Sequence, residues 1–116
     1  MNPSVLFIIA SDPRSSARPA EAIRIAAGVG VWKKADIYLY FRDAAVLTIG
    51  EFTDDFLDED NYIRYRPIIR EWGRPIYAQK HAALLEGLGE PALAYEEITD
   101  EELARLSART NYVARF

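Results

Sequence analysis

The stretch Val5-Leu6-Phe7-Ile8-Ile9-Ala10 is an unbroken apolar run rich in β-forming residues. A strand with one wet face alternates polar and apolar residues, whereas an unbroken run marks a strand covered on both sides, as in a parallel sheet sandwiched by helices. The run therefore predicts the central strand of such a sheet. A polar loop, Ser11 to Arg18, follows it. Pro19-Ala20-Glu21-Ala22-Ile23-Arg24-Ile25-Ala26-Ala27 then places proline at the first helical position with good helix formers behind it, and Gly28 and Gly30 close the helix near Val31. Ile37 to Phe41 predicts the second strand. Strand, helix and strand make a βαβ unit, whose crossover is right-handed in nearly every case.

Further along, Ala44 to Ile49 predicts one or two helical turns. Glu51 to Asp60 carries six acidic residues in ten positions and predicts an exposed excursion. In Asn61 to Trp72 the apolar residues are irregularly spaced, and Pro67 permits at most a helix that begins there, with Gly73 as its stop. Arg74 to Ala78 predicts a third strand, Lys80 to Leu88 a helix, and Ala92 to Tyr95 a fourth strand. Thr99-Asp100-Glu101-Glu102 is a capping box, in which Thr99 caps the Glu102 backbone N–H and the Glu102 carboxylate reaches back. Glu101 and Arg105 form an i,i+4 pair on this helix, and Leu103 and Leu106 share one face. Tyr112 to Phe116 is the closing strand. Strands and helices alternating throughout predict an α/β fold with a mostly parallel sheet in one domain, residues 1–116.

Half of the 116 residues are apolar and 28% are charged, enough oily surface for a core. Fourteen basic against eighteen acidic residues leave a net charge of −4. That balance disfavours sequence-blind binding to nucleic acid or to an anionic membrane. Without cysteine there is no disulfide, thiolate nucleophile, iron–sulfur ligation or cysteine zinc site. A single histidine, His81, cannot supply an imidazole set, and the acidic stretch lacks the glycine and spacing of a calcium loop, so no metal or cofactor is expected. The opening residues have no basic segment before Val5, and no apolar run nears the length of a membrane span, which predicts a soluble cytoplasmic protein.

Taken together, Val5 to Ala10, the loop and alanine-rich helix Arg18 to Gly30, Ile37 to Phe41 with Ala44-Ala45-Val46-Leu47, Glu71 to Ala78, and Glu101 to Phe116 resemble the DsrE/DsrF-like, or YchN-like, family. The resemblance implies a three-layer α/β/α domain around a parallel sheet of about five strands, assembly into trimers or hexamers, and a role near sulfur relay. Sulfur-carrying members place a persulfide-forming cysteine where this chain has Ala78-Gln79-Lys80. No thiol stands there, so covalent sulfur carriage is excluded by chemistry.

Two loops then carry the candidate ligand residues. Asp12, Arg14 and Arg18 follow the first strand and feed a helix N-terminus, a place where anions bind in open α/β sheets; the plainer alternative is that Asp12, Ser15 and Ser16 only shape the turn and cap the helix. Gln79, Lys80 and His81 follow the third strand and would emerge at the same edge. His81 is the one candidate for acid–base catalysis, against the alternative of a surface or cap residue. Gly28-Val29-Gly30 and Gly87-Leu88-Gly89 do not directly follow strands and are helix ends rather than nucleotide loops. Arg64, Tyr65, Arg66, Arg70 and Trp72, with Arg74, mix cations and aromatics in the manner of a subunit interface, or alternatively of a grip on single-stranded nucleic acid.

The leading expectation is a homo-oligomeric, non-catalytic binding or accessory protein taking a small anionic ligand. The alternative is a hydrolase or group-transfer enzyme for an anionic or phosphorylated metabolite, with Arg14 and Arg18 holding the anion while His81 moves a proton.

Overall fold

The computed structural model describes residues 2–73 and 75–116. Ser4–Ile9 (β1) and Asp36–Phe41 (β2) run parallel in full register, Ser4 opposite Asp36 and Ile9 opposite Phe41, joined by Arg18–Val31 (α1). Ile76–Gln79 (β3) and Tyr95–Ile98 (β4) extend the sheet on one side, and Tyr112–Arg115 (β5) pairs with β1 on the other. All five strands are parallel, in the order β4-β3-β2-β1-β5.

The strand order dictates the layering. From β1 to β4 the chain steps steadily toward one edge, and α1 and Glu59–Arg70 (α2), packed side by side, cover one face. Asp100–Arg109 (α3) carries the chain back from the β4 edge to β5. A right-handed return in the opposite direction must use the opposite face. The result is a three-layer α/β/α arrangement with unequal halves.

On the α1/α2 side, Phe7, Ile9, Ile37, Leu39 and Phe41 from the strands pack with Ile23, Ala26, Ala27, Tyr62 and Ile69 from the helices. Small alanines along α1 let it approach the sheet closely. On the other side Leu103 and Leu106 of α3 close a smaller cluster over Leu6, Ile8, Tyr40 and Ile98. Because β1 is apolar on both faces, it feeds both clusters, as its composition predicts.

Several elements differ from the sequence reading. A helix does not begin at Pro67; α2 starts eight residues earlier and contains it. Tyr62, Arg66 and Ile69, spaced i, i+4, i+7, form its buried stripe, and the charged middle member hid the period. Lys80 to Leu88 does not form an α-helix: the chain turns at His81 and makes a short 3₁₀ helix, Ala83–Gly87. The fourth strand is Tyr95–Ile98 rather than Ala92–Tyr95, since Leu93 is apolar for the core and not for a strand. Asp43–Ile49 forms the expected helical turns, in 3₁₀ geometry. The third strand is expected from Arg74, which lies outside the described residues, and is observed from Ile76.

Candidate functional site

In a parallel sheet every strand delivers its next loop to one edge, and ligands collect where neighbouring loops leave toward opposite faces. Here that point lies between β3, whose connection stays on the α1/α2 side, and β4, which feeds α3. Gln79, Lys80 and His81 leave β3 there, facing Ile98, Thr99 and Asp100 across a hollow of about 280 Å³. A second hollow of about 330 Å³ opens on the β2 side, between Asp43, Ala44, Gln79, His81 and Leu84.

Backbone strain concentrates at the second hollow. Asp43 (φ 51°) and His81 (φ 65°) are both left-handed, a conformation that costs a non-glycine residue of order 1 kcal/mol and must be held by its surroundings. Gln79 supplies the hold at Asp43, its Oε1 accepting the Asp43 backbone N–H at 2.8 Å. At His81 the backbone N–H donates to Glu97 Oε1 at 3.3 Å, and the Lys80 N–H donates to the Ile98 carbonyl at 2.9 Å. The β3–β4 crevice is thereby fixed from both strands, with the Lys80 and His81 side chains exposed at its mouth.

On the β4 side, the capping box forms as predicted. The Glu102 N–H donates to Thr99 Oγ1 at 3.1 Å and the Thr99 N–H to Glu102 Oε1 at 3.0 Å. The Thr99 backbone N–H is the main cause that holds the Glu102 carboxyl below the usual range.

The loop after β1 behaves differently. Arg14 grips Asp12 with two bonds, Nε to Oδ1 at 3.0 Å and Nη2 to Oδ2 at 2.9 Å, while the Arg14 N–H adds a third to Oδ1 at 2.9 Å. The Arg14 guanidinium accordingly lowers the Asp12 carboxyl from its usual value. Ser15 and Ser16 donate their N–H groups to the Asp12 carbonyl, and Arg18 Nη2 donates to the Arg115 carbonyl at 2.9 Å. Asp12, Arg14 and Arg18 thus shape a turn and tie it to β5. They share neither hollow with Gln79, Lys80 and His81, from which β2 separates them.

Of the arginine–aromatic set, Arg66 is withdrawn from the surface. Arg66 is 8% exposed, its Nη1 donating to the carbonyls of Thr48 at 3.1 Å and Gly50 at 2.5 Å and its Nη2 to Glu51 at 3.4 Å. Its guanidinium serves the interior, capping the end of the first 3₁₀ helix, and burial pulls it down from its ordinary pKa. Tyr65 packs against the larger core, Arg70 Nε donates to the Ala92 carbonyl at 3.1 Å, and Arg64 borders a depression with Asp58, Glu59 and Asp60. Trp72 lies half-buried against α1, and Arg74 falls outside the described residues.

Asp43 is the member of the site that sequence reasoning missed. Its signal was an aspartate two residues past a strand end, a residue type that tolerates the left-handed conformation. Among the described residues no three histidine, aspartate or glutamate side chains gather as a metal site, and no helix is long and apolar enough to cross a membrane.

Among solved structures, the ychN protein from E. coli superimposes with a TM-score of 0.77 over 100% of both chains. The two share one fold. At 17% identity the likeness concerns the backbone path and not the chemistry of the site. No protein-family model matches the sequence, and no curated protein does. The three-layer α/β/α fold around a five-stranded parallel sheet, expected from the order of elements, is therefore present and shared with that protein, in a chain with no cysteine.

Proposed function

We propose that this chain, as one domain over residues 1–116, is an accessory binding protein of the DsrE-like type: it assembles with copies of itself and takes a small anionic ligand without forming a covalent bond to it. The supporting observation is the Gln79-Lys80-His81 segment at the sheet's switch point, bordered by two hollows and free of any thiol. Lys80 and His81 supply positive charge and a protonatable donor for an anion. Asp43 and Asp100 on the rims favour a ligand that also offers hydroxyl or amide donors. A place beside a sulfur relay is then that of a partner and not of a carrier, because a carboxamide at position 79 cannot form a persulfide. For self-assembly into trimers or hexamers, the exposed Arg64 and Arg70 with half-buried Tyr65 and Trp72 remain the α2-side candidates, without Arg66. The turn residues Asp12, Arg14 and Arg18 serve to hold this edge rather than to contact the ligand.

Native mass spectrometry of freshly purified protein tests the reading. A trimer or hexamer releasing a bound small molecule on denaturation supports it, and Lys80→Ala with His81→Ala lowers the amount retained. A bare monomer overturns the assembly, and retention unchanged in the double variant overturns the site.

A second reading has one observation in its favour. Asp43 and His81, both strained, line the same hollow as a carboxylate and an imidazole, which is a pairing suited to acid–base work on an anionic or phosphorylated metabolite. Loss of a measured turnover in His81→Ala, against an unchanged rate in Arg14→Ala, would support catalysis at this hollow alone. An unchanged rate in both would remove it.

A further inference from the structure

The opposite, amino edge of the sheet holds a hollow of about 410 Å³, away from the Gln79-Lys80-His81 segment and bordering the candidate assembly face through Trp72. Its walls come from Gly30 and Val31 at the end of α1, Ile68, Glu71 and Trp72 at the end of α2, and Asp36 at the start of β2. The volume is within the range of small-molecule sites, and the mix of apolar wall and a few charges is their usual character. We propose that it binds a small organic cation of the alkylammonium class.

Three features converge on that chemistry. The first is the wall: the indole of Trp72 lies against Gly30, where a Cβ would stand 2.7 Å from Trp72 Cζ2. An indole held on the backbone of another helix is fixed in orientation, and tryptophan is the best of the aromatic partners for an ammonium group. The second feature is the direction of the helices. Both α1 and α2 end at this hollow, and each helix C-terminus carries roughly half a negative charge. The last turn of α1 contains no basic residue to offset its share, whereas that of α2 contains Arg70, whose Nε is turned to the Ala92 carbonyl. The third is a pair of carboxylates, Asp36 and Glu71, which among the described residues lining the hollow stand against one cation, Lys33, exposed at the rim. An anionic ligand would meet two carboxylates and the unoffset end of α1. A cation with an apolar body meets opposite charge at one end and Val31, Ile68 and the indole at the other.

The floor of the site is braced. Lys33 is left-handed (φ 55°), its N–H donates to the Gly30 carbonyl at 3.2 Å, and Asn2 Nδ2 donates to the Lys33 carbonyl at 2.9 Å. This network fixes the bend between α1 and β2 and leaves the Asp36 carboxylate at the lip of the hollow.

The experiment uses choline as the probe cation and its neutral analogue, in which carbon replaces the ammonium nitrogen. In Trp32→Phe protein, Trp72 is the sole tryptophan and reports directly. The expected result is a saturable change in its emission with choline and binding of the neutral analogue weaker by about tenfold, the upper part of the cation–π range. Asp36→Asn and Glu71→Gln should each weaken choline about threefold, as exposed charge pairs do. Calorimetry on Trp72→Leu, checked for folding by circular dichroism, should show binding lost. Equal affinity for choline and its neutral analogue, a response that never saturates, or binding retained by folded Trp72→Leu would each overturn the proposal.

Discussion

Trp72 and Gly30 fasten the ends of α1 and α2 to each other: the indole occupies the space that any side chain at position 30 would need, with Cζ2 2.7 Å from the place of a Cβ. Two residues earlier, Gly28 has nothing within 4 Å of the same position. One glycine is required by packing and the other is not.

A paired substitution separates these roles. Gly28→Ala should raise stability by about 0.5–1 kcal/mol, since alanine restricts the unfolded chain and suits a helix. Gly30→Ala gains the same propensity but must displace the indole, and it should come out less stable than Gly28→Ala by at least about 1 kcal/mol. Urea midpoints measure both. Equal stabilisation by the two alanines would show that the indole moves aside freely.

Among the described residues Arg66 is the one buried charge, and its partners are backbone carbonyls of residues 48, 50 and 51. Arg66→Ala should cost about 3 kcal/mol or more, because it strands those carbonyls away from water. Arg66→Lys should recover only part, since one ammonium cannot reproduce the fork. Hydrogen exchange should show the 48–51 segment opening first in both variants. A loss under about 1 kcal/mol in Arg66→Ala would mean that water replaces the guanidinium.

The capping box predicts both a cost and a pH signature. Thr99→Ala should cost about 1 kcal/mol. The Glu102 carboxyl is held below its ordinary value, so its contribution is present above the usual carboxylate range and is lost as pH falls through the depressed value. Glu102→Gln keeps an acceptor at that position without a titrating group. Acid unfolding of the variant should therefore lack the component attributable to Glu102, and an acid limb identical to wild type would contradict the assignment.

Tyr62 makes the opposite prediction at high pH. Burial pushes its hydroxyl up to about 12, outweighing the pull of the Thr48 hydroxyl and the Arg66 guanidinium the other way. The folded protein keeps that proton while the unfolded chain releases it at about 10, so stability is full below about 10 and falls as pH rises toward 12. Tyr62→Phe should differ little from wild type at neutral pH and lose less stability over that interval. Parallel pH profiles would refute the assignment to Tyr62.

What the sequence disclosed follows from where single residues dominate the physics. Val5 to Ala10, Pro19 with its alanines, and the Thr99–Glu102 box each carry a local reason strong enough to fix an element, and each stands where it was expected. α2 was hidden for two reasons. Its buried stripe includes an arginine, and its N-terminus opens from a left-handed Asp58 with no side-chain cap. Pro67 misled because it sits near the helix end, where α2 continues only to Arg70. At the site, Gln79, Lys80 and His81 were legible from their position behind a strand. Asp43 was not, because its role depends on a bond from its own backbone to Gln79, thirty-six residues away. The pairing of Arg14 with Asp12 is local and in principle visible, but nothing in the sequence weighs a guanidinium's neighbour against a ligand.

β5 reaches β1 from far along the chain: Asn111 and Ser4, 107 residues apart, exchange bonds where the two strands begin, the Ser4 N–H donating to Asn111 Oδ1 at 2.8 Å. A nascent polypeptide that has not yet reached Tyr112 can form the other four strands and still leave one side of its most apolar strand unzipped. During synthesis that open edge is a template for any passing strand. The late arrival of β5 therefore makes translation itself the period when this protein most needs shelter, and a stalled or truncated product the form most prone to join others of its kind.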